Sequence, residues 1–317
     1  MRTVLSSLSR RLIVVLATVF IASFVIFASV ALAPGDPAAA MVGGTTPNPD
    51  ALAAIRFQFR LDDPLLARYW HWLTSTAHGD LGTSFVYRSD IWGLLAPRLE
   101  TTLLLVAYSA LLIIVIGVGS GVVASLSSRA VDKTINVVTS VLMGVPTFVV
   151  VIVLIFIFSR VLPWFPVYGT GEGLVDKLWH LTLPAVAMAV AYLAFVSRIT
   201  RASMRSQMFS EHVETARSRG IPQRLIVFRH VLRNASSEIL SVSGITVAGL
   251  FAGTAVAERA FGINGIGSLL VDAANRRDLP VVQIICLFMV VAFVAVNMIV
   301  DVTNVAIDPR IARGSRS

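Results

Sequence analysis

Long runs of apolar residues recur along the whole chain, and the segments between them carry most of its charge. Each run has at least the roughly 17 residues that a helix needs to cross the hydrocarbon core of a bilayer. In lipid only a helix pairs its backbone groups within a single segment, so we predict helices for all of them. The six predicted spans are Leu12–Ala33, Thr101–Ser128, Thr134–Ser159, Leu181–Ser197, Ile239–Ala257 and Pro280–Val300.

The first run could instead be a secretory signal, because Arg10 and Arg11 precede it and Ala31-Leu32-Ala33 resembles a cleavage site. We reject that interpretation. The run is longer than the core of about 7 to 15 residues that signals have, and Pro34 follows the candidate site, where it disfavours cleavage. The run is therefore predicted to stay in place as the first span.

The composition also indicates a multi-pass membrane protein. Of 317 residues, 56% are apolar and 14% are charged, and the mean hydropathy is +0.80, far from the average for soluble domains. Most of the 26 lysines and arginines lie at the two termini and in alternate loops. The positive-inside rule then places both termini in the cytoplasm, and the net charge of +8 needs no nucleic acid as partner.

Two connecting segments are too long to be simple turns. Segment 34–100, predicted outside, begins with Pro34-Gly35-Asp36-Pro37 and continues through Thr46-Pro47-Asn48-Pro49. A helix is predicted from Asp63, with Pro64 at its first position. The aromatic residues of that helix form either a binding face or an interfacial anchor; they are Tyr69, Trp70 and Trp72.

The second long segment, 198–238, is predicted to be cytoplasmic and is rich in arginine. One interpretation is that these arginines only enforce topology and touch lipid headgroups. The pattern contains more than charge, however. A helical stretch with Glu214 and Ala216 ends at Gly220, and Pro222 then begins a second helix with regularly spaced apolar residues. Such a helix-turn-helix can fit a groove in another protein.

The sequence contains no phosphate-binding G-x-x-x-x-G-K-[ST] loop, no H-E-x-x-H metal motif and no G-x-S-x-G nucleophile elbow. We predict no catalytic, cofactor-binding or metal site, so any ATP must be hydrolysed elsewhere. Charges inside spans would favour an ion-coupled transporter. Arg198, Glu258 and Asp301 instead fall at predicted span ends. There we expect snorkelling or interfacial hydration to lower the free-energy cost of their charges. This pattern favours coupling through a partner.

His212-Val213-Glu214-Thr215-Ala216-Arg217-Ser218-Arg219-Gly220, followed by His230-Val231-Leu232-Arg233-Asn234-Ala235, resembles the coupling motif of binding-protein-dependent ABC importer permeases. The version is similar to that of the B-type permease of the dipeptide, oligopeptide and nickel subfamily, and the likeness covers nearly the whole chain. Its other matching motifs are Pro34–Pro37, Gly79–Ser84, Leu181–Pro184, Arg198–Arg201, Glu258–Phe261, Gly265–Gly267, Arg277–Pro280, Asn297, Asp301 and Asp308–Arg310. The sequence departs from the family at Glu238 and Asn264, near places where the family usually has proline.

The resemblance implies an all-α integral membrane protein with six transmembrane helices in the type I ABC importer architecture. It implies a multi-pass subunit of a prokaryotic cytoplasmic membrane, in contact with membrane lipid. Its partners would be a second, homologous permease, two ATPase subunits that use ATP and Mg²⁺, and an extracytoplasmic substrate-binding protein. The chain then divides into 1–33 (terminus and first span), 34–100 (outer region), 101–305 (permease core with coupling segment 198–238) and 306–317 (cytoplasmic tail).

The resemblance also implies roles for residues of the coupling segment. Glu214 and Ala216 would support and pack the docking element, and Gly220 would supply its break. The candidate contacts to the ATPase are Arg224, Phe228 and Arg229. Bound peptide would pass between the two permeases.

Polar residues within or at the ends of the spans are the candidates for the solute path: Ser243, Thr246, Thr254 and Asn297. Hydrogen bonding between helices is the alternative role for each of them. Two other functions stay open beside the ABC permease. An ion-coupled transporter would need intramembrane carboxylates or an inverted repeat, and a non-transporting scaffold would show no dependence of uptake on the coupling segment.

Overall fold

The computed structural model describes residues 2–32, 49–58 and 60–307, and in them the regular structure is helical apart from an isolated bridge between Thr83 and Asp90. Three of the helices include a short π-helical segment, at Ile113–Val118, Phe156–Val161 and Ile226–Leu232. The helices are α1 Arg2–Ala31, α2 Pro49–Gln58, α3 Leu65–Ala77, α4 Ile91–Leu126, α5 Arg129–Gly144, α6 Thr147–Val161, α7 Gly173–Met208, α8 Glu211–Ser218, α9 Gln223–Ala260, α10 Ile266–Asn275 and α11 Leu279–Ile307.

Within the described residues, five helices are long and apolar enough to cross a membrane, namely α1, α4, α7, α9 and α11, and the bent pair α5 and α6 gives a sixth when counted as one span. The six predicted spans fall on these helices, although Ser127 and Ser128 follow the end of α4. The helices extend well past the predicted limits of the spans. Hydropathy detects the apolar stretch, whereas the polar turns at either end continue the same helix.

Several sequence predictions concern segments outside the described residues. They are Ala33, the turn Pro34–Pro37, the stretch Thr46–Asn48, and the tail from Asp308 onward with its motif Asp308–Arg310. Pro49, the last residue of the second proline cluster, begins α2.

The third predicted span is broken at Pro146. Val145 is extended, with φ −87° and ψ 123°, as expected for a residue whose α conformation clashes with a following proline ring. Helix α6 begins directly after the proline at Thr147 and leaves α5 at an angle of 101°. The apolar run Thr134–Ser159 is therefore two helices rather than one straight rod.

Two glycines allow α4 to lie directly on α7. Gly117 and Gly121 are one turn apart on α4 and both are buried. A Cβ atom at Gly121 would lie 2.5 Å from the Ser197 carbonyl oxygen and 2.6 Å from Thr200 Cβ. Ser120 Oγ donates to Ser197 Oγ at 2.8 Å across the same contact. Small residues at this spacing are how membrane helices bring their backbones together.

In the predicted outer region, α3 packs against α1. The Tyr69 ring lies edge-on to Phe24 and Phe27 of α1, with centroids 5.1 and 5.6 Å apart, and Trp72 also contacts Phe27 at 5.5 Å. The predicted helix is confirmed, but it begins at Leu65, so that Pro64 precedes it. Tyr69 and Trp72 therefore form a helix contact, whereas Trp70 stays 58% exposed, and the two interpretations of the aromatic cluster stay predictions.

Candidate functional site

The predicted coupling segment 198–238 consists of the last turns of α7, then α8, a glycine turn and the first turns of α9. Gly220 has φ +74°, a left-handed conformation that glycine adopts without strain. Its N–H donates to the Arg217 carbonyl at 2.9 Å, which closes the end of α8. Pro222 then precedes α9, whose first residue is Gln223. The break predicted at Gly220 and the new helix after Pro222 are both present.

An apolar cluster holds α8 against the transmembrane helices. Val213 and Ala216 are the buried residues of α8, with 0% and 4% exposure. They pack with Met204 of α7 and with residues of α9, namely Ile226, Val227, Val231, Ala235 and Ile239. The His212 Nε2 also lies 2.9 Å from Asn234 Nδ2 of α9. Because α8 is anchored to both α7 and α9, a displacement of α8 reaches two transmembrane helices directly.

The opposite surface of the segment is open. Phe228 is 70% exposed, and Arg224 and Arg229 on the same part of α9 are also exposed. Glu214 is exposed on α8, and its carbonyl accepts a hydrogen bond from Ser218 Oγ at 3.1 Å. The segment thus combines a buried apolar side, which includes Ala216, with an exposed side that includes the Phe228 ring and the guanidinium groups of Arg224 and Arg229.

The candidate path residues do not form one polar surface. Thr246 and Thr254 are buried and donate to carbonyl oxygens one turn earlier in α9, at Ser243 and Phe251, both at 2.8 Å. Asn297 does the same on α11, toward Phe293 at 2.9 Å. Ser243 Oγ is buried, and no described residue lies within hydrogen-bond distance of it. Local backbone bonds thus account for three of these four side chains.

Glu258 differs from its sequence prediction. It was expected to be hydrated at a span end, but its exposure is 0%. Thr102 Oγ1 of α4 donates to one carboxyl oxygen at 2.6 Å, and the Ser268 N–H of α10 donates to the other at 2.8 Å. The carboxyl group thereby joins α4, α9 and the first turn of α10. Hydropathy alone suggested a surface position, because the apolar run ends at Ala257, and the contacts that bury Glu258 come from distant segments.

Asp278 is a second buried carboxyl group at the opposite end of α10. Its exposure is 0%, and it accepts hydrogen bonds from Ser84 Oγ and from the N–H groups of Phe85 and Val86 at 3.2 and 3.3 Å. These bonds fix the loop before α4 to the turn between α10 and α11. Arg277–Pro280 was singled out as a motif, but this role of Asp278 was not predicted.

Asp132 forms a third carboxyl cluster, between α5 and α7. Its side chain accepts hydrogen bonds from Arg201 Nε and Nη2, from Arg205 Nη2 at 2.8 Å, and from Asn136 Nδ2 at 2.9 Å. Arg201 and Arg205 are one turn apart on α7 and would repel each other without the acid. Sequence reasoning missed Asp132 because it lies within the polar start of a helix, where an acidic residue is unremarkable.

Among residues 2–32, 49–58 and 60–307 there is no group of three His, Cys, Asp or Glu side chains placed to hold a metal ion. The described residues thus form a helical membrane protein with an anchored, partly exposed segment between α7 and α9.

Comparison with known families decides the class. Residues 113–313 match the family profile described as "Binding-protein-dependent transport system inner membrane component", and residues 4–106 match the profile of the corresponding N-terminal region. The chain belongs to this family. It is a multi-pass inner membrane permease component of an ABC importer, and the family implies ATPase and substrate-binding-protein partners.

Two relatives of this permease match over nearly their whole length. The "Probable peptide ABC transporter permease protein y4tP" of Sinorhizobium fredii (strain NBRC 101917 / NGR234) is 35% identical over 306 residues, which cover 95% of this chain and 97% of the relative. The "Glutathione transport system permease protein GsiC" of Escherichia coli (strain K12) is 32% identical over 303 residues, with the same coverage. The predicted subfamily of peptide-type permeases is confirmed.

A solved structure shares the fold of this permease. It belongs to the MetNI methionine ABC transporter in an inward facing conformation, with a TM-score of 0.50 and 17% sequence identity. The similarity covers 69% of this chain and 95% of the solved one. The predicted fold class, an all-α ABC importer permease, is confirmed.

Proposed function

We propose that this permease moves peptides, as dipeptides or oligopeptides, across the cytoplasmic membrane by alternating access. Two observations support a peptide cargo. One relative is named a probable peptide permease, and the other is named for glutathione, which is itself a tripeptide. Energy comes from two separate ATPase subunits that bind ATP and Mg²⁺, since this chain has no phosphate-binding loop of its own.

The coupling segment is the observation that carries this proposal. Its buried side fixes α8 to α7 and α9, and its exposed side offers Arg224, Phe228 and Arg229 to an ATPase. Aromatic and arginine side chains are the types enriched at protein interfaces. Closure of the ATPase pair would move this surface and rock α7 and α9 between inward-open and outward-open states.

The rest of the assembly follows from the same proposal. A second, homologous permease faces this chain, and an extracytoplasmic binding protein delivers the peptide to the pair. Both termini and the coupling segment 198–238 lie in the cytoplasm, because the arginine-rich loops alternate with loops poorer in positive charge. Segment 34–100 then lies outside, and Ser243, Thr246, Thr254 and Asn297 are candidates for the path between the permeases.

Replacing Gly220 with proline is expected to abolish ATPase coupling. Proline holds φ near −65°, whereas Gly220 needs +74°, and proline also removes the N–H that donates to Arg217. The measurement is co-purification of the tagged permease with its ATPase subunits, followed by peptide-stimulated ATP hydrolysis in lipid. We expect the wild type to retain the ATPases. The variant should either lose them or show a rate of peptide-stimulated ATP hydrolysis at least about tenfold lower than that of the wild type.

Gly220→Asn is the matched control. Asparagine tolerates the left-handed conformation better than other residues with a side chain, and no atom lies within 4 Å of a Cβ placed there. It should keep most of the coupling. Equal loss in the two variants would contradict the conformational explanation. If no ATPase accompanies the wild-type chain, the proposed role of the coupling segment as the surface that docks the ATPase fails.

The peptide cargo is tested by uptake into proteoliposomes that contain the whole complex. We expect ATP-dependent uptake of labelled di- or oligopeptides when the binding protein is present, and no uptake of the same amino acids in free form. Competition by unlabelled peptide should reduce the signal. Uptake of free amino acids with no uptake of peptides would reject the peptide assignment while leaving the ATP-driven importer intact.

A further inference from the structure

A cavity of about 380 Å³ lies beside the C-terminal end of α1. One wall is apolar and is formed by Phe27 and Val30 of α1 together with Trp72 of α3. The first turn of α11 closes another side with Leu279 and Pro280. The cavity is thus lined by three separate helices, two of which are candidate membrane spans, and by the loop before α4.

Basic side chains lie at the same cavity. Arg60, Arg68 and His71 line it, and Arg60 Nη1 lies 2.7 Å from His71 Nε2. Asp80 also lines the cavity, but its Oδ1 already accepts the Gly82 N–H at 3.0 Å. Within the described residues, no hydrogen-bond or ion-pair partner is found for the Arg68 guanidinium. The arrangement presents two guanidinium groups above an aromatic and aliphatic wall.

The contacts of α3 place this cavity beside the apolar part of α1. The Tyr69 hydroxyl lies 2.9 Å from Ser23 Oγ and donates to the Phe20 carbonyl at 3.3 Å. Phe20 precedes the end of α1 by eleven residues, or about 16 Å at 1.5 Å per residue. On the other side of α3, Leu66 and Trp70 are 69% and 58% exposed. Helix α3 therefore lies alongside the apolar part of α1.

We propose that this cavity binds the phosphate headgroup of an anionic phospholipid, with an acyl chain along the wall of Phe27 and Trp72. Guanidinium groups bind phosphate oxygens with paired donors. A soluble anion would not need the apolar wall. In the orientation proposed above, the lipid belongs to the outer leaflet, and this leaflet assignment alone rests on the proposed function.

The test is native mass spectrometry of the purified full-length permease, with whatever subunits accompany it, after titration with phosphatidylglycerol or phosphatidylcholine. The variant Arg60→Gln/Arg68→Gln should retain at least fivefold less phosphatidylglycerol than the wild type. Arg60→Lys/Arg68→Lys keeps the charge and should restore most of the binding. Arg88→Gln, an exposed change in a nearby loop outside the cavity, should bind as the wild type does.

Three outcomes would overturn the proposal. Equal retention of the two lipids would show that the anionic headgroup is not recognised. Displacement of the lipid by millimolar inorganic phosphate would show a phosphate site without a role for the acyl chain. A double glutamine variant that keeps phosphatidylglycerol but loses the binding protein would assign the cavity to protein docking. Lipid retention is measured by mass spectrometry and does not require transport. A failure of the lipid proposal can therefore be distinguished from a failure of the proposed peptide import.

Discussion

Replacing Glu258 with alanine is expected to destabilise the permease by about 3 kcal/mol, because a buried donor left without its acceptor costs about 1 to 3 kcal/mol. The substitution leaves Thr102 Oγ1–H and the Ser268 N–H without that acceptor in a site with no exposure. It also leaves a cavity where the side chain was. The measurement is the unfolding midpoint of the purified permease in lipid nanodiscs, by heat or by denaturing detergent.

Two further variants sharpen this test. Glu238→Ala removes an exposed glutamate from the same helix and should leave the midpoint nearly unchanged. Gly265→Ala should destabilise as Glu258→Ala does, since the new Cβ would lie 2.2 Å from Glu258 Oε1. If Glu258→Ala unfolds at the wild-type midpoint, the carboxyl group does not hold α4, α9 and α10 together.

Gly121→Ala and Gly119→Ala are expected to change stability in opposite directions. At Gly121 the added methyl group would lie 2.5 Å from the Ser197 carbonyl oxygen and would force α4 away from α7. Overpacking of this kind costs about 1 to 3 kcal/mol. At Gly119 nothing lies within 4 Å, and alanine in place of a helical glycine gains about 0.5 to 1 kcal/mol.

The same unfolding assay in nanodiscs measures both glycine variants. Because the residues are two positions apart in one helix, expression, lipid composition and the chemical change are matched. A lower midpoint for Gly121→Ala together with an equal or higher midpoint for Gly119→Ala is the expected pair. Equal midpoints for the two variants would mean that α4 and α7 do not meet as closely as the glycines allow.

The positions of the spans could be predicted because lipid leaves an apolar run one way to pair its backbone groups. Their ends could not. Helix α7 continues to Met208 through Arg198, Arg201 and Arg205, and no hydropathy value separates a polar helical turn from a polar loop. Pro146 was expected to bend or begin a helix, but the angle of 101° between α5 and α6 could not be predicted, because the surroundings of the proline decide it.

The coupling segment was predicted better than the buried polar groups. The helix break at Gly220 depends on local backbone conformation, and the burial of Ala216 depends on the helical period. Both can therefore be predicted from neighbouring residues. Glu258, Asp278 and Asp132 depend on partners far away in the chain, such as Thr102, so one sequence could not reveal their burial. The candidate ATPase contacts and path residues stay predictions, since each depends on a subunit outside this chain.

Helix α9 also has a mechanical consequence. Its 38 residues make a rod of about 57 Å, well over the roughly 30 Å of the hydrocarbon core. Phe228 lies near one end and Glu258 near the other, about 45 Å apart at 1.5 Å per residue. A tilt of about 10° around the midpoint of such a rod shifts these two positions by about 4 Å each, in opposite directions. In the proposed mechanism helix α9 would therefore act as a single lever, and a force applied at the coupling surface would move the other end of the helix in the opposite direction.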